Sequence, residues 1–322
     1  DIAVRVHGPK AVLKPASVIL SYYGFEPETN GRAPLFDIRI ETASNGEGVP
    51  DDLDPLASDW FGCSVYGGPA LTVAVRGQSR LTIDKDESAA TVTIDGGGDK
   101  QLDASNPALF LFLTFALVHA LQAHGRYILH GAAVCDDDGE GILILGESDT
   151  GKSTLTMSLI KQGWGYLSDD SLVVAVSETG LVAEPFRTDF GLDPVAEEFF
   201  PGVSDGAEPW LHGGDKWRVR IRELYPSLAR PACRPRMLVF PELDSGADSQ
   251  LEPIKSGEAL VNAMRQGSFL FSSDERHDAR KQLELCVSLV GQCRTYRLVS
   301  GPDIAHNAEL LSRTFEPRLG SL

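Results

Sequence analysis

The stretch Gly141–Ile160 reads GILILGESDTGKSTLTMSLI. An aliphatic run ends at Gly146, four residues follow, and Gly151-Lys152-Ser153 opens an apolar pattern of helical period. Few chains carry this order without folding as strand, loop and helix. Its glycines let the backbone curl so that several N–H groups converge on an anion. The helix that follows aims its positive end at the same point. The pattern GxxxxGK[ST] has a stated chemistry. Lys152 brings charge to the β- and γ-phosphates and acts in catalysis, while Ser153 offers a hydroxyl to Mg²⁺. Thr154 is placed for the α-phosphate. Gly146, Glu147, Ser148, Asp149, Thr150, Gly151, Lys152, Ser153 and Thr154 are therefore the candidate nucleotide-binding residues. Leu155, Leu159 and Ile160 form the inward stripe of the helix, and Gly163 caps its end. Lys152 is expected to face solvent when no polyphosphate is bound. Asp149 would repel a phosphate, so its side chain is expected to point outward.

Ser168-Asp169-Asp170 follows the loop lysine by 16 to 18 positions. A magnesium nucleotide needs a carboxylate to hold or orient the metal. Transfer to a hydroxyl gains from a second carboxylate near that hydroxyl. Neighbours at a strand end face opposite ways, so two adjacent acids can serve both needs.

The rest of the chain divides at about residue 104. Residues 1–104 read as β-rich, with SVILSYYGF, LFDIRIETA, ALTVAVRG and ATVTIDGGG as strands and AVRGQSRLTI as a hairpin. Residues 105–322 alternate helix and strand. NPALFLFLTFALVHALQAHG gives a buried helix with Asn106 as N-cap and Pro107 behind it, ending at Gly125; its apolar core falls short of a membrane span. RYILHGAAV and ILIL form a hairpin around CDDDGEG. SGEALVNAMRQ, DARKQLELCVSLVGQ and DIAHNAELLSRTF are helices; GYLSDDSLVVAV, KWRVRIREL, RMLVFPEL and TYRLVSG supply strands.

The 29 basic residues against 46 acidic ones give a net charge of −17, which argues against nucleic acid or an anionic membrane as partner. Five scattered cysteines with no CxxC pair form neither a disulfide framework nor a zinc site. With no leader pattern at the start of the sequence, this predicts a reduced, cytoplasmic protein.

Taken in order, His130-Gly131, a hairpin, Gly146-x-Ser148-x-x-Gly151-Lys152-Ser153, Gly163 and Ser168-Asp169-Asp170 resemble the HPr kinase/phosphorylase family, most closely over Leu129–Val176. The whole layout is similar to the HPr-kinase-related proteins of bacterial peptide-modification clusters. The resemblance implies an α/β fold: a phosphoenolpyruvate-carboxykinase-like P-loop kinase core (105–322) behind a β-rich α+β N-terminal domain (1–104). Since the loop holds only the donor, acceptor recognition is expected from the basic stretch after Lys216, from this first domain, or from both. It implies ATP and Mg²⁺ as cofactors and a serine hydroxyl of a peptide or small protein as acceptor. Some such relatives phosphorylate the C-terminal serine of a lasso peptide. It makes one acid of the pair the base and gives the other to the metal, without saying which; Asp169 is taken here as base and Asp170, with Ser153, for the metal, and His130 is set beside phosphates or base. HPr kinases assemble into oligomers, so a homo-oligomer is allowed. The sequence departs from the pattern at Asp149, where the family has glycine, and at Thr154, where it usually has glutamate. Its characteristic C-terminal segment is not recognisable here, which argues against HPr as acceptor and against the reverse phosphorylase reaction.

KWRVRIRELYPSLARPACRPR (216–236) reverses the local charge. Read as a strand, it sets Lys216, Arg218, Arg220 and Arg222 on one face, with Trp217, Val219 and Ile221 on the other. Lys216, Arg218 and Arg220 are candidate contacts to phosphate or acceptor; the plain alternative is an edge strand guarded by its charges. Two rival functions stand beside the peptide kinase. One is a small-molecule kinase on the same fold. The other is a nucleotide-binding scaffold that recognises a peptide without phosphoryl transfer.

Overall fold

The fold is given by a computed structural model that describes residues 3–27, 31, 33–43, 48–95, 102–178, 180–210, 215–244, 246, 248–267 and 275–315. The chain divides into two units, Asp1–Gly125 with Phe269–Arg280, and Arg126–Ser268 with Lys281–Leu322.

The first unit contains β1 (Val4–His7), α1 (Lys10–Tyr22), β2 (Phe36–Ala43), β3 (Asp54–Trp60), β4 (Cys63–Gly67), β5 (Leu71–Arg76), β6 (Ser79–Asp84), β7 (Ala89–Asp95) and α2 (Pro107–Ala123). Its strands form one sheet in the order β1-β2-β7-β6-β5-β4-β3. β1 and β7 flank β2 in parallel, and the rest is an antiparallel meander. The expected β5–β6 hairpin is present. The stretch expected as the strand SVILSYYGF instead forms, from Ser17 to Tyr22, the C-terminal half of α1. Val12, Ala16 and Ile19 are buried at i, i+4 and i+7, with Pro15 and Tyr22 on the same face. That helical stripe outweighs the β-branched content of the segment.

In α2, Asn106 Oδ1 accepts from Leu109 N–H at 3.0 Å, Pro107 takes the first position, and Gly125 follows the helix at φ 70°. Buried Phe112 and Phe115 each contribute roughly 1.5–3 kcal/mol. The Tyr23 and Thr114 hydroxyls lie 2.7 Å apart, which joins the end of α1 to α2. α2 packs on α1, β6 and β7, and it belongs with them to the first unit. No helix among the described residues is long and apolar enough to cross a membrane.

The second unit runs β8 (Arg126–Cys135), β9 (Glu140–Leu145), α3 (Lys152–Lys161), β10 (Gly165–Ser168), β11 (Ser171–Ser177), β12 (Gly180–Pro185), β13 (Phe190–Leu192), α4 (Ala196–Phe199), β14 (Glu208–Pro209), β15 (Trp217–Val219), α5 (Ile221–Leu224), β16 (Arg234–Leu243), β17 (Gln250–Pro253), α6 (Ser256–Arg265), α7 (Glu275–Gln292, of which Lys281 onward belongs here), β18 (Arg294–Ser300) and α8 (Ile304–Phe315). The main sheet is ordered β12-β11-β8-β9-β16-β18-β17. On one face Val134, Ile144 and Val239 meet Leu155, Leu159 and Ile160 of α3 and Leu311 of α8. On the other, Leu143, Leu238 and Phe240 meet Ala259 of α6 and Leu285 and Leu289 of α7. Strands buried on both faces between helices read as continuous apolar runs, as ILIL does.

KWRVRIREL is not one strand. Only Trp217–Val219 is extended, and Ile221–Leu224 turns into the short α5. Nor is it an edge, because β15 lies between β13 and β14 in a small sheet. The alternation therefore breaks at Arg220, while Val219 and Ile221 are buried as expected.

Candidate active site

β10 and β11 pair with successive parts of β8. Ser168 lies opposite Ala133, and Ser171 opposite His130. The two acids occupy the break between those pairings, and Gly131 N–H donates to Asp170 O at 2.6 Å. Gly131 itself pairs with Leu145, the last residue of β9. A Cβ on Gly131 would lie 2.9 Å from Ile144 O and 2.4 Å from the Leu145 side chain. The glycine thus lets β8 approach β9 and brings His130 and the acid pair to the strand end where the loop begins.

From that end the chain turns through Gly146–Gly151 into α3. Gly151 has φ 85° and Asp149 φ 62°, the latter a left-handed conformation carried by a residue with a side chain. The Asp149 side chain is exposed but is one wall of the cleft described below, and its Oδ1 meets Lys216 Nζ at 3.0 Å. Lys152 does not face solvent; only 5% of it is exposed. Its Nζ donates to Gly146 O at 2.8 Å and Glu147 O at 2.6 Å, so loop carbonyls hold the ammonium. Burial pushes its pKa below the ordinary lysine value, against the pull of Asp170 and Asp169. Thr150 Oγ1 also donates to Glu147 O.

The acid pair splits into two environments. The Asp169 side chain is fully buried. Its Oδ2 accepts from Ser153 Oγ at 2.9 Å and Gly191 N–H at 3.0 Å, and its Oδ1 from Arg187 Nη2 at 3.3 Å. Burial raises its pKa, and Arg187 opposes that rise. The Asp170 side chain is 27% exposed and faces the cleft. It meets Arg187 Nη1 at 2.8 Å, Ser171 Oγ at 2.7 Å and His130 Nδ1 at 3.5 Å. Burial alone would raise its pKa, but Arg187, His130 and Ser171 together hold the carboxyl below its ordinary range. The structure thus brings Ser153 to Asp169, whereas the sequence reading had paired Ser153 with Asp170.

Sequence reasoning missed Arg187. It is buried, bridges both carboxylates, and lies 4.8 Å over the Trp210 ring. No motif marks it, and only the Asp169-Asp170 pair, which needs a counter-charge, hinted at such a residue.

A cleft of about 240 Å³ is lined by part of the loop together with Asp170 and Arg187 of this cluster. Ser148, Asp149, Gly151, Lys152, Ser153, Thr154, Asp170, Arg187, Trp210 and Lys216 are among its walls. Of the three cationic candidates, only Lys216 reaches it. Arg218 is buried against Asp189 at 2.6 Å and Glu208 at 3.4 Å, and Arg220 pairs with Glu208 and Glu223. These arginines are consumed by local acids and present no open cationic face.

The donor set suits magnesium. Among the described residues no group of three or more His, Cys, Asp or Glu is arranged as a metal cage. Mg²⁺ beside a nucleotide does not ask for one, since it keeps water and phosphate oxygens and takes one or two protein oxygens. Ser153 offers such an oxygen, and its hydroxyl donates a hydrogen bond to Asp169 Oδ2.

A glycine loop between a buried strand and a helix, with acids at the neighbouring strand break, defines an α/β protein of the phosphate-loop class. Comparison with known proteins narrows this. The HPr kinase/phosphorylase of Caldicellulosiruptor bescii is 38% identical over 77 residues, 24% of this chain and 22% of that protein. That of Chlorobium limicola is 34% identical over 86 residues, 27% of this chain and 25% of that protein. Over this stretch the chain is similar to HPr kinase/phosphorylases, and it spans about a quarter of the length of these relatives. No family model matches it. The structure of the HPr(Ser) kinase/phosphatase from Coxiella burnetii covers 58% of this chain and 94% of its own at 15% identity, with a TM-score of 0.30.

Proposed function

We propose that this chain is an ATP- and Mg²⁺-dependent kinase that transfers the γ-phosphoryl group to a serine hydroxyl of a peptide or small protein. The observation that carries the reading is the division of the acid pair. Asp169 fixes the hydroxyl of the loop serine, while its neighbour Asp170 faces the same cleft beside His130. A protein that only bound nucleotide would need the first arrangement and not the second.

Bound magnesium supplies charge neutralisation across the β- and γ-phosphates. The chain's own groups do the rest. Lys152 leaves the carbonyls of Gly146 and Glu147 for the phosphates, and Ser153 gives its oxygen to the metal. Asp170 orients the acceptor hydroxyl and takes its proton as the new bond forms, with His130 as the adjacent proton carrier. A loose transition state asks for positioning of the hydroxyl more than for early deprotonation. Arg187 keeps the two carboxylates together in one buried corner. In this proposal the roles of Asp169 and Asp170 are the reverse of those taken from the sequence.

Several further readings belong to the same proposal: a phosphoenolpyruvate-carboxykinase-like core, a cytoplasmic setting, tailoring of ribosomal peptides such as lasso peptides, and acceptor capture by the first unit. The seven-stranded sheet ends in β1 and β3. An extended peptide can pair with an open sheet edge, which suits a peptide better than a sugar or nucleoside.

The test is incubation of the full chain with Mg-ATP and candidate peptides, read by mass spectrometry. The expected result is a gain of about 80 Da, one phosphoryl group, on a serine. Lys152→Ala should lose about 10²–10³-fold in turnover with an unchanged circular dichroism spectrum. Preferential phosphorylation of a small hydroxyl compound would move the assignment to a small-molecule kinase. Nucleotide binding without transfer to any acceptor would favour the scaffold.

A further inference from the structure

The cleft contains two lysines, and both are bound to oxygens of the chain itself. Lys152 rests on two neutral carbonyls. Lys216 rests on the carboxylate of Asp149 at 3.0 Å, and both of those residues line the cleft. The charges of Lys216 and Asp149 are felt at Lys152, so the three groups form one electrostatic set. Asp149 is an unexpected member. It adds negative charge to a loop shaped for anions and holds φ 62°, a conformation that L side chains rarely adopt. Lys216 supplies the compensation: it makes the charge of Asp149 useful at that point.

We propose that Asp149 is a built-in stand-in for the terminal phosphoryl group of a nucleoside triphosphate, holding Lys216 across the cleft until that group displaces it. The inference rests on the reading of the cleft as a nucleotide site. A phosphoryl oxygen and a carboxylate oxygen present the same kind of acceptor to an ammonium, and the more highly charged ligand wins. Lys216 is then the residue that recognises the third phosphoryl group, and Asp149 sets how much of that contact appears as affinity. A diphosphate leaves the Asp149–Lys216 pair closed.

The experiment is calorimetric titration of the full chain with ATP and with ADP, each with Mg²⁺. Asp149→Asn keeps the shape and tolerates the left-handed backbone. It should tighten ATP about two- to five-fold, the range an exposed ion pair spans, with little change for ADP. Asp149→Gly, which also removes the backbone strain, should show the same preference for ATP. Lys216→Met should weaken ATP and spare ADP, and on that background Asp149→Asn should lose its effect on ATP. Equal shifts for ATP and ADP, or none, would overturn the stand-in and leave the nucleotide site standing. Absence of binding of either nucleotide by wild type and Asp149→Asn alike would overturn the nucleotide site and the stand-in with it.

Discussion

Two charge clusters in the second unit are built on opposite plans. At the cleft one buried arginine, Arg187, serves two adjacent carboxylates, and one of these has no exposed surface. At the small sheet Arg218 and Arg220 share Glu208, with Asp189 and Glu223 to either side, and the members beyond Arg218 and Asp189 are largely open to water. In the first cluster a lost partner leaves a charge that solvent cannot reach. In the second, water can replace the contacts of Arg220, Glu208 and Glu223, though not the buried Arg218–Asp189 pair. Charge density along the sequence therefore says little about importance; what matters is whether an alternative partner exists when a contact breaks.

The sharpest test of the contrast is Asp170→Asn, expected to reduce phosphoryl transfer about 10²–10⁴-fold while Mg-ATP still binds. Asp169→Asn should weaken the response to Mg²⁺ instead, as followed by metal titration of turnover. Acid unfolding adds a check of sign. The Asp170 pKa is lowered by folding, so its contribution is complete above the unfolded value of about 3.9 and is lost as pH falls through the lower folded value. Asp170→Asn should flatten that acid limb.

Next in size is Arg187→Met, expected to destabilise by about 3–5 kcal/mol, because it leaves buried Asp169 without its cation; urea unfolding measures it. Adding Asp169→Asn should recover part of the loss, and a strictly additive double mutant would break the account of one shared cation.

Arg218→Gln should cost about 1–3 kcal/mol, since its guanidinium and Asp189 are buried while its second acid, Glu208, lies nearer water. Arg220→Gln should cost less than about 1 kcal/mol and vanish into the salt dependence. Equal unfolding shifts for these two would dissolve the distinction between buried and exposed partners within the small sheet.

These clusters also mark how far the sequence could be read. The loop, its flanking strand and helix, and the acid pair were legible because phosphate chemistry demands certain residue types at near-fixed spacing, and local backbone does the rest. Arg187 was not legible. Its role arises only where the chain leaves β12 near the break between β10 and β11, a meeting of distant segments. The basic stretch misled for the same reason: the partners of Lys216 and Arg218 are Asp149, Asp189 and Glu208, all outside the run of charges. In α1, Val18 and Ile19 read as strand formers, and the apolar face that overrules them matters only once α2 is there to cover it. Lys152 was expected in solvent because the motif describes its bound partner; the carbonyls that hold it are those of the loop's own curl.

The parallel pairing of β2 with β7 has a consequence for the order of assembly. The meander from β3 to β6 lies between these two strands in sequence, and its hairpins need only neighbours. During synthesis that meander can form first, while β1, β2 and α1 wait for β7 to leave the ribosome. Until then the apolar side chains Phe36, Ile38 and Ile40 have no β7 beside them. Long-range pairings of this kind are the slow steps of folding and the intervals in which aggregation competes.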